Sequence, residues 1–377
     1  MTNELGIKNY DYVEFYVGSA KMTAYWFAKA LGMNITGYMG PETGVRDRVS
    51  YYLTQNHIKF VITSFLQPST YDVSSFVTTH GDGVKRWAVQ VENVKEAFEK
   101  AVGKTAIPIT LPRRLEDEDG YVDEAAIRLY DDAEVVFINH DNYNGVFKPG
   151  FKPFKQDFEI HRGDPNLVRI DHIVGNVRVN EMNRWAEYFN QTMDFETMLY
   201  FGPGDISTQY SALLSKVVRT SDSIIRNPIN EPYEGLKVSQ IEEYINEYHG
   251  SGIQHIAIAT GDIISSIRTL RENGMEFLNI PGTYYDQLEK RNAGLPDSER
   301  ITEDIGQLRE QGILCDFESK GYLLQLFTQP TGDRPTFFFE IIQRRKGAMG
   351  FGQGNFQALF ESIERAQAQR GNLDRKP

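Results

Sequence analysis

Three residues in the second half of the chain, His172, His255 and Glu340, have the side-chain types that bind metal ions, and each stands in apolar company. Glu340 lies in Arg334-Pro-Thr-Phe-Phe-Phe-Glu-Ile-Ile-Gln343, where Pro335 marks an entry and the residues around the acid are aromatic or β-branched. That composition predicts a buried strand over residues 336 to 343. Side chains alternate faces along a strand, which puts Phe338, Glu340 and Ile342 on one face and Phe337, Phe339 and Ile341 on the other. A carboxylate in such a run loses its hydration and needs a counter-ion, hydrogen-bond donors or a bound cation. His172 and His255 stand in Asp171-His-Ile-Val-Gly-Asn-Val177 and Gly252-Ile-Gln-His-Ile-Ala-Ile258. Their spacing matches no short motif, and a single histidine in an apolar strand is more often a satisfied core residue than a ligand.

An internal duplication reverses that preference. Asp11-Tyr-Val-Glu-Phe-Tyr-Val17, followed by a helical pattern through Met22, Tyr25, Trp26 and Leu31 to Gly32, is echoed at Asp171 to Val177, followed by Met182, Trp185, Tyr188, Phe189 and Met193. His80-Gly-Asp-Gly-Val-Lys-Arg-Trp-Ala-Val89 is echoed by His249-Gly-Ser-Gly-Ile-Gln-His-Ile-Ala-Ile258. In the first half the slots of His172 and His255 hold Tyr12 and Arg86, and Glu340 aligns loosely with Ile138. One half thus has two imidazoles and a carboxylate at matched strand positions, and the other has none of them. Two neutral imidazoles and one carboxylate that leave coordination positions open suit a non-haem Fe(II) centre binding substrate beside O₂. Zinc on the same ligands would hydrolyse, and ligand type leaves both metals open.

The elements that must carry these residues read as strand, helix and further strands, twice in each half. A helix after the second echo has Asp262 as cap, Ile263, Ile267 and Leu270 on one face and Gly274 at its end. This order predicts an α+β fold of two tandem domains built from repeated βαβββ modules, each an open barrel of curved mixed or antiparallel sheet with helices outside. Glycine, proline and lysine between 145 and 167 read as linker, giving domains 1–150 and 168–377 joined by 151–167. Residues 281 to 312 read as an inserted loop followed by a polar helix. At the C-terminus, Gly350, Gly352 and Gly354 precede a helix over about 355–370 with Asn355 as cap and Phe356, Leu359, Phe360 and Ile363 on one face. That helix suits either a lid or a simply docked terminus.

The 377 residues include 40% hydrophobic and 12% aromatic side chains, enough for sizeable cores. A formal charge of −12 argues against nucleic acid or an anionic membrane as partner. The lone cysteine, Cys315, excludes an internal disulfide framework and reads as a small apolar residue rather than a nucleophile. No apolar run approaches the ~20 residues of a membrane span, and the N-terminal residues lack a signal-peptide pattern, so a soluble cytoplasmic protein is expected.

Eight stretches remain to be weighed together: Val168 to Val177, Tyr210 to Ser215, Pro228 to Pro232, Ser239 to Ile241, Gly252 to Ile256, Leu323 to Phe327, Arg334 to Gln343 and Gly350 to Phe356. Jointly they resemble the 4-hydroxyphenylpyruvate dioxygenase family of the vicinal-oxygen-chelate superfamily. The resemblance runs through nearly the whole chain, more weakly in the first half. It implies one Fe(II) per chain on His172, His255 and Glu340, chelated by a 2-oxo acid with one position left for O₂. The implied reaction is oxidative decarboxylation of 4-hydroxyphenylpyruvate, ring hydroxylation and side-chain migration, giving homogentisate and CO₂ in tyrosine catabolism. Gln254 and Gln325 match residues beside metal and substrate. Ser215, Asn230 and Gln240 match a polar network that orients the substrate, while Phe338, Phe351 and Phe356 match aromatics flanking its ring. Asn355 falls in the substrate-binding set as well, and the helix after it matches a C-terminal lid. One departure is Gln353, where many relatives carry lysine, so a charge-based part in closing a lid is not implied here. A homo-oligomer, dimer or tetramer, is expected. Hydroxymandelate synthase, which oxidises the benzylic carbon of the same substrate, and a catalytically silent binding protein of the same fold remain alternatives; Pro228, Asn230 and Phe338 agree better with the dioxygenase pattern.

Overall fold

The computed structural model describes residues 3–155, 160–202 and 212–374; Tyr210 and Ser211 of one matched stretch, and 156–159 of the expected linker, lie outside the described residues. The first half runs β1 (Ile7–Tyr16), α1 (Ala20–Leu31), β2 (Asn34–Met39), β3 (Arg48–Gln55), β4 (Ile58–Phe65), α2 (Tyr71–His80), β5 (Gly83–Val91), α3 (Val94–Gly103), β6 (Pro108–Asp117), β7 (Gly120–Leu129) and β8 (Ala133–Asn139). A short β9 (Lys152–Pro153), inside the stretch expected as linker, pairs with β2. The second half runs β10 (Leu167–Asn176), α4 (Met182–Met193), β11 (Glu196–Phe201), β12 (Ala212–Arg219), β13 (Arg226–Tyr233), α5 (Gln240–Tyr248), β14 (Gly252–Thr260) and α6 (Ile263–Glu272). It continues through α7 (Gly282–Ala293), α8 (Ile305–Gln311), β15 (Leu314–Glu318), β16 (Gly321–Phe327), β17 (Phe338–Arg345) and α9 (Phe356–Arg370).

The first sheet has the order β6-β7-β8-β5-β1-β4-β3-β2-β9, and the second β11-β12-β13-β10-β14-β17-β16-β15. Each is a curled half-barrel made of two βαβββ modules joined through their leading strands, β1 against β5 and β10 against β14, both antiparallel. Within a module the first and last strands run parallel, as β14 does with β17. This is the α+β architecture the repeat predicts.

Local chemistry explains where several helices start, stop and face. The α6 cap is Asp262, whose carboxylate accepts from the Ser265 amide, and Ile263, Ile267 and Leu270 are buried beneath it. Helix α1 stops at Gly32, whose φ of 68° is left-handed, a conformation glycine adopts without a Cβ penalty. Its inward face is Ala20, Ala24, Phe27 and Leu31. Met22, grouped with that face from the sequence, instead points outward at 71% exposure. The expected loop after Pro281 is helical: Pro281 stands just before α7, where its missing N–H costs nothing, and Tyr285 and Leu288 bury one side.

Strand alternation orients β17. Phe337 and Phe339 pack into an aromatic core shared by the two halves, Phe337 at 5.2 Å from Phe15, and Phe339 at 5.6 Å from Phe27 and 5.9 Å from Phe60. Burying each ring contributes on the order of 2 kcal/mol. The opposite face of the same strand carries Phe338 and Glu340 into the lumen of the second half-barrel.

Candidate metal centre

His172, His255 and Glu340 lie on β10, β14 and β17, three neighbouring strands in the middle of the second sheet. Register brings them onto one face: His172 pairs with Ala257, Ala257 pairs with Glu340, and His255 precedes Ala257 by two residues. Ala257 is small, so the longer side chains on either side can converge above it. Glu340 Oε2 lies 3.2 Å from His172 Nε2 and 3.5 Å from His255 Nε2, and all three potential donor atoms fall within 4.8 Å of one another. Bonds of about 2.1 Å at right angles place adjacent ligand atoms about 3 Å apart, so the spacing fits three ligands on one side of a metal ion. No other such group of three or more donors occurs among the described residues.

Burial opposes the charge of Glu340, yet the two imidazoles beside it hold its pKa down to about 2. The histidines respond in opposite senses. For His172, Glu340 and Asp171 overcome the burial penalty and raise the pKa; for His255, burial outweighs the same Glu340 and the pKa falls. The outer nitrogen of each ring is engaged. His172 Nδ1 lies 2.9 Å from Asp171 Oδ1, and His255 Nδ1 lies 3.0 Å from Gln254 Oε1. The Asp171 carboxylate and the Gln254 amide oxygen both accept, so each Nδ1 carries a hydrogen and each Nε2 is left to face inward as a ligand.

The triad opens into a cavity of about 580 Å³ including its mouth. Ser215, Asn230, Gln240, Gln254, Phe338, Phe351 and Phe356 all line it, so most of the residues singled out from the sequence converge there. Ser215 and Asn230 face each other across β12 and β13. Phe338 stacks on the His255 ring at 4.8 Å and Phe351 meets the His172 ring edge-on at 5.1 Å. Apolar residues, among them Phe201, Leu213, Val217, Phe327 and Phe360, complete the wall.

Gln325 and Asn355 do not line the cavity. Gln325 is fully buried behind Gly352, where an added Cβ would lie 2.1 Å from its Nε2, and its amide has no hydrogen-bond partner among the described residues. Asn355 occupies the N-cap position of α9 without capping it by a side-chain hydrogen bond. Its Oδ1 instead accepts from Tyr284 Oη at 2.7 Å, and the same hydroxyl bonds the backbone of Cys315. Cys315 is buried, which pushes its thiol pKa up and fits an inert core residue. The equivalence of Glu340 needs correction too: pairing of β5 with β8 sets Val136, not Ile138, opposite Ala88, so Val136 holds the slot of Glu340. The two candidates share a face because they differ by two residues.

Helix α9 lies over the cavity, contributing Phe356, Leu359 and Phe360 to its wall. It is tied down at its far end, where Arg370 makes hydrogen bonds of 3.1 and 2.8 Å to Glu243 of α5.

Sequence reasoning passed over Asp171 and Arg344. Asp171 is buried; burial alone would raise its pKa, but hydrogen bonds from His172 and Arg344 hold it well below the carboxylate range. Its recurrence as Asp11 in the duplicate was the available signal.

Residues 169–290 match the family model of the glyoxalase/bleomycin resistance protein/dioxygenase superfamily. The chain is 41% identical to the 4-hydroxyphenylpyruvate dioxygenase of Yarrowia lipolytica, covering 99% of this chain and 96% of that protein. It is 40% identical to that of Caenorhabditis elegans, covering 97% and 93%. Among solved structures, a triple mutant of 4-hydroxymandelate synthase from Streptomyces coelicolor superposes with a TM-score of 0.83 at 28% identity, covering 96% of this chain and 99% of that one. With identity at this level sustained along nearly its full length, the chain belongs to the 4-hydroxyphenylpyruvate dioxygenase family.

Proposed function

We propose that this protein converts 4-hydroxyphenylpyruvate and O₂ to homogentisate and CO₂ at one Fe(II) per chain, held by His172, His255 and Glu340. The observation that carries this is the convergence of two Nε2 lone pairs and one carboxylate, on three adjacent strands, at the wall of an aromatic cavity. Bound Fe(II) would supply the redox chemistry and open positions for a 2-oxo acid and O₂. The chain's own residues bind and orient. Phe338, Phe351 and Phe356 flank the substrate ring, and their apolar surroundings exclude water from the reacting end. Ser215, Asn230 and Gln240 offer hydrogen bonds that fix the substrate's direction. Gln254 holds the tautomer of His255, Gln325 acts from behind the Gly352 turn rather than from the cavity wall, and Asn355 positions α9. We further propose two domains, 1–150 and 168–377, with only the second holding metal, and a cytoplasmic homo-oligomer of two or four chains. Sedimentation velocity of the purified protein tests the assembly.

The structural likeness to 4-hydroxymandelate synthase makes benzylic hydroxylation the competing reading. Anaerobic reconstitution with Fe(II), followed by oxygen uptake and product identification, tests both. Homogentisate is expected, 4-hydroxymandelate would transfer the protein to the competing activity, and absence of oxygen uptake would favour a silent binder.

A further inference from the structure

Two guanidiniums stand between the described C-terminal segment and the metal triad: Arg226, with Nη1 3.5 Å from Asp171 Oδ1 and Nη2 3.7 Å from Met349 Sδ, and Arg344, which makes the closer hydrogen bonds. Arg344, on β17 four residues beyond Glu340, donates from Nε to Asp171 Oδ2 at 3.0 Å and from Nη2 to Asp171 Oδ1 at 2.8 Å. Asp171 in turn accepts from His172 Nδ1 at 2.9 Å. The remaining Arg344 nitrogen, Nη1, donates to the Gly350 carbonyl at 2.6 Å, in the glycine-rich turn that leads into α9. Beside that bond, Phe351 lies with its ring 5.7 Å from the Arg344 guanidinium and 5.1 Å from the His172 imidazole. Arg344 and Asp171 are both largely or fully buried, at 12% and 0% side-chain exposure, so solvent screens little of the pair.

The duplicated half shows which part of this is architecture. The slot of Asp171 holds Asp11, and the register that equates Val136 with Glu340 equates His140 with Arg344. His140 Nε2 lies 3.1 Å from Asp11 Oδ1, so an acid-base pair closes the same corner of both sheets. Two contacts are added only in the second half: the neighbouring residue is a histidine that donates to the acid, and the basic partner reaches on to a glycine-rich turn whose backbone has wide conformational freedom. A planar fork spreads its donors over three nitrogens and can face Asp171 and Gly350 at once, whereas an ammonium gathers its three donors on one atom.

We propose that Arg344 is a positioning residue that couples the orientation of the His172 imidazole to the seating of residues 349–356, so that metal binding and closure of the segment over the cavity reinforce each other. The proposal rests on the metal-centre reading above. Glu318 holds the same turn independently, accepting from the Met349 and Gly350 amides at 2.9 Å each, so loss of Arg344 leaves the turn attached and the fold supported.

The test uses full-length apoprotein, Fe(II) alone as probe, and two readouts without turnover: Fe(II) affinity by anaerobic competition with a chromophoric chelator, and amide hydrogen exchange across 349–356 with and without metal. In the parent, Fe(II) is expected to slow exchange in 349–356. In Arg344→Met, affinity is expected to fall roughly 10- to 100-fold, and the metal-dependent slowing to vanish even at saturating Fe(II). Arg345→Met, which removes a neighbouring ion pair to Glu303 instead, is expected to keep both at the parent level. Unchanged affinity in Arg344→Met, or retained metal-dependent slowing, would overturn the coupling. If that variant fails to fold, Arg344→Lys keeps the charge without the fork and is expected to lose the slowing; a parent-like response there overturns the proposal equally. A parent that binds no Fe(II) removes the metal centre itself, and the coupling with it, which distinguishes that failure from a parent that binds and a variant that binds as well.

Discussion

The two half-barrels present the same row of positions across their central strands and fill it with opposing chemistry. In the second half, His172, His255 and Glu340 surround Ala257; in the first, Tyr12, Arg86 and Val136 surround Ala88, the equivalent small residue. Arg86 is caught between Glu14 and Glu134 at 3.3 Å each and donates to Tyr16 Oη at 2.9 Å. A guanidinium is a fixed cation with donors only, so it takes the place of a metal rather than holding one. The neighbouring slots repeat the contrast. Gln325 corresponds to Glu124, which Arg113 and Lys148 neutralise, and the Ser215–Asn230 pair corresponds to Ser50 and Thr63, whose hydroxyls satisfy each other at 2.7 Å. Both lumens are open, but the first is a charged cavity of about 1470 Å³ including its mouth, lined by ion-paired groups such as Glu14, Arg86, Glu134 and Lys148, whereas the second sets Ser215 and Asn230 in a mostly apolar wall beside the triad. A duplicated scaffold can therefore separate a reactive centre from a structural one by exchanging a handful of inward side chains.

The largest effects should come from erasing the contrast. His172→Ala, His255→Ala or Glu340→Ala should each bring oxygen uptake with 4-hydroxyphenylpyruvate to background and weaken Fe(II) binding in the competition assay; activity retained in any of the three removes that residue from the ligand set. Truncation after Gly354 should separate the metal from the cavity wall. Fe(II) binding should persist while turnover falls sharply, because Phe356, Leu359 and Phe360 no longer shield the site; unchanged turnover would make α9 a docked terminus only. In the first half, Arg86→Met should leave Fe(II) affinity unaltered but deprive the largely buried Glu14 of its cation, while Glu134 keeps Lys85 at 3.2 Å, lowering stability by about 3 kcal/mol in a denaturant titration. Loss of metal in that variant would undo the distinction between the halves.

The smallest effect is a pH dependence. Burial opposes ionisation of Glu124, but Lys148 and Arg113 hold its pKa at about 2, below the ordinary 4.5. Its folded-state pKa is depressed, so its stabilisation is complete above about 4.5 and drains away as pH falls toward 2. Glu124→Gln should flatten the stability profile in that window and leave it parallel to the parent above it, as thermal melts across the range would show.

Much of the site is legible in the residue pattern. The strand from 336 to 343 announces its two faces through alternation alone, and the missing imidazoles of the first half turn two unremarkable histidines and one acid into a set. Pattern fails where distance along the chain hides contact. A slip of two residues keeps the face, so Ile138 and Val136 cannot be told apart without the sheet register. Met22 and the α7 segment depart from expectation because neighbouring elements, not local composition, decide which side of a helix is covered.

Residue types and periodicity by themselves determined the duplicated strand-and-helix order, the buried acid in need of partners and the identity of the three donors, since these depend only on hydration cost and side-chain period. Tertiary structure alone decided that Asp171 and Arg344 stand behind His172, that Gln325 faces a glycine turn and that Asn355 answers to Tyr284. Those contacts join residues up to 173 positions apart, and a hydrogen bond between them depends on ångström-scale register that no linear pattern encodes.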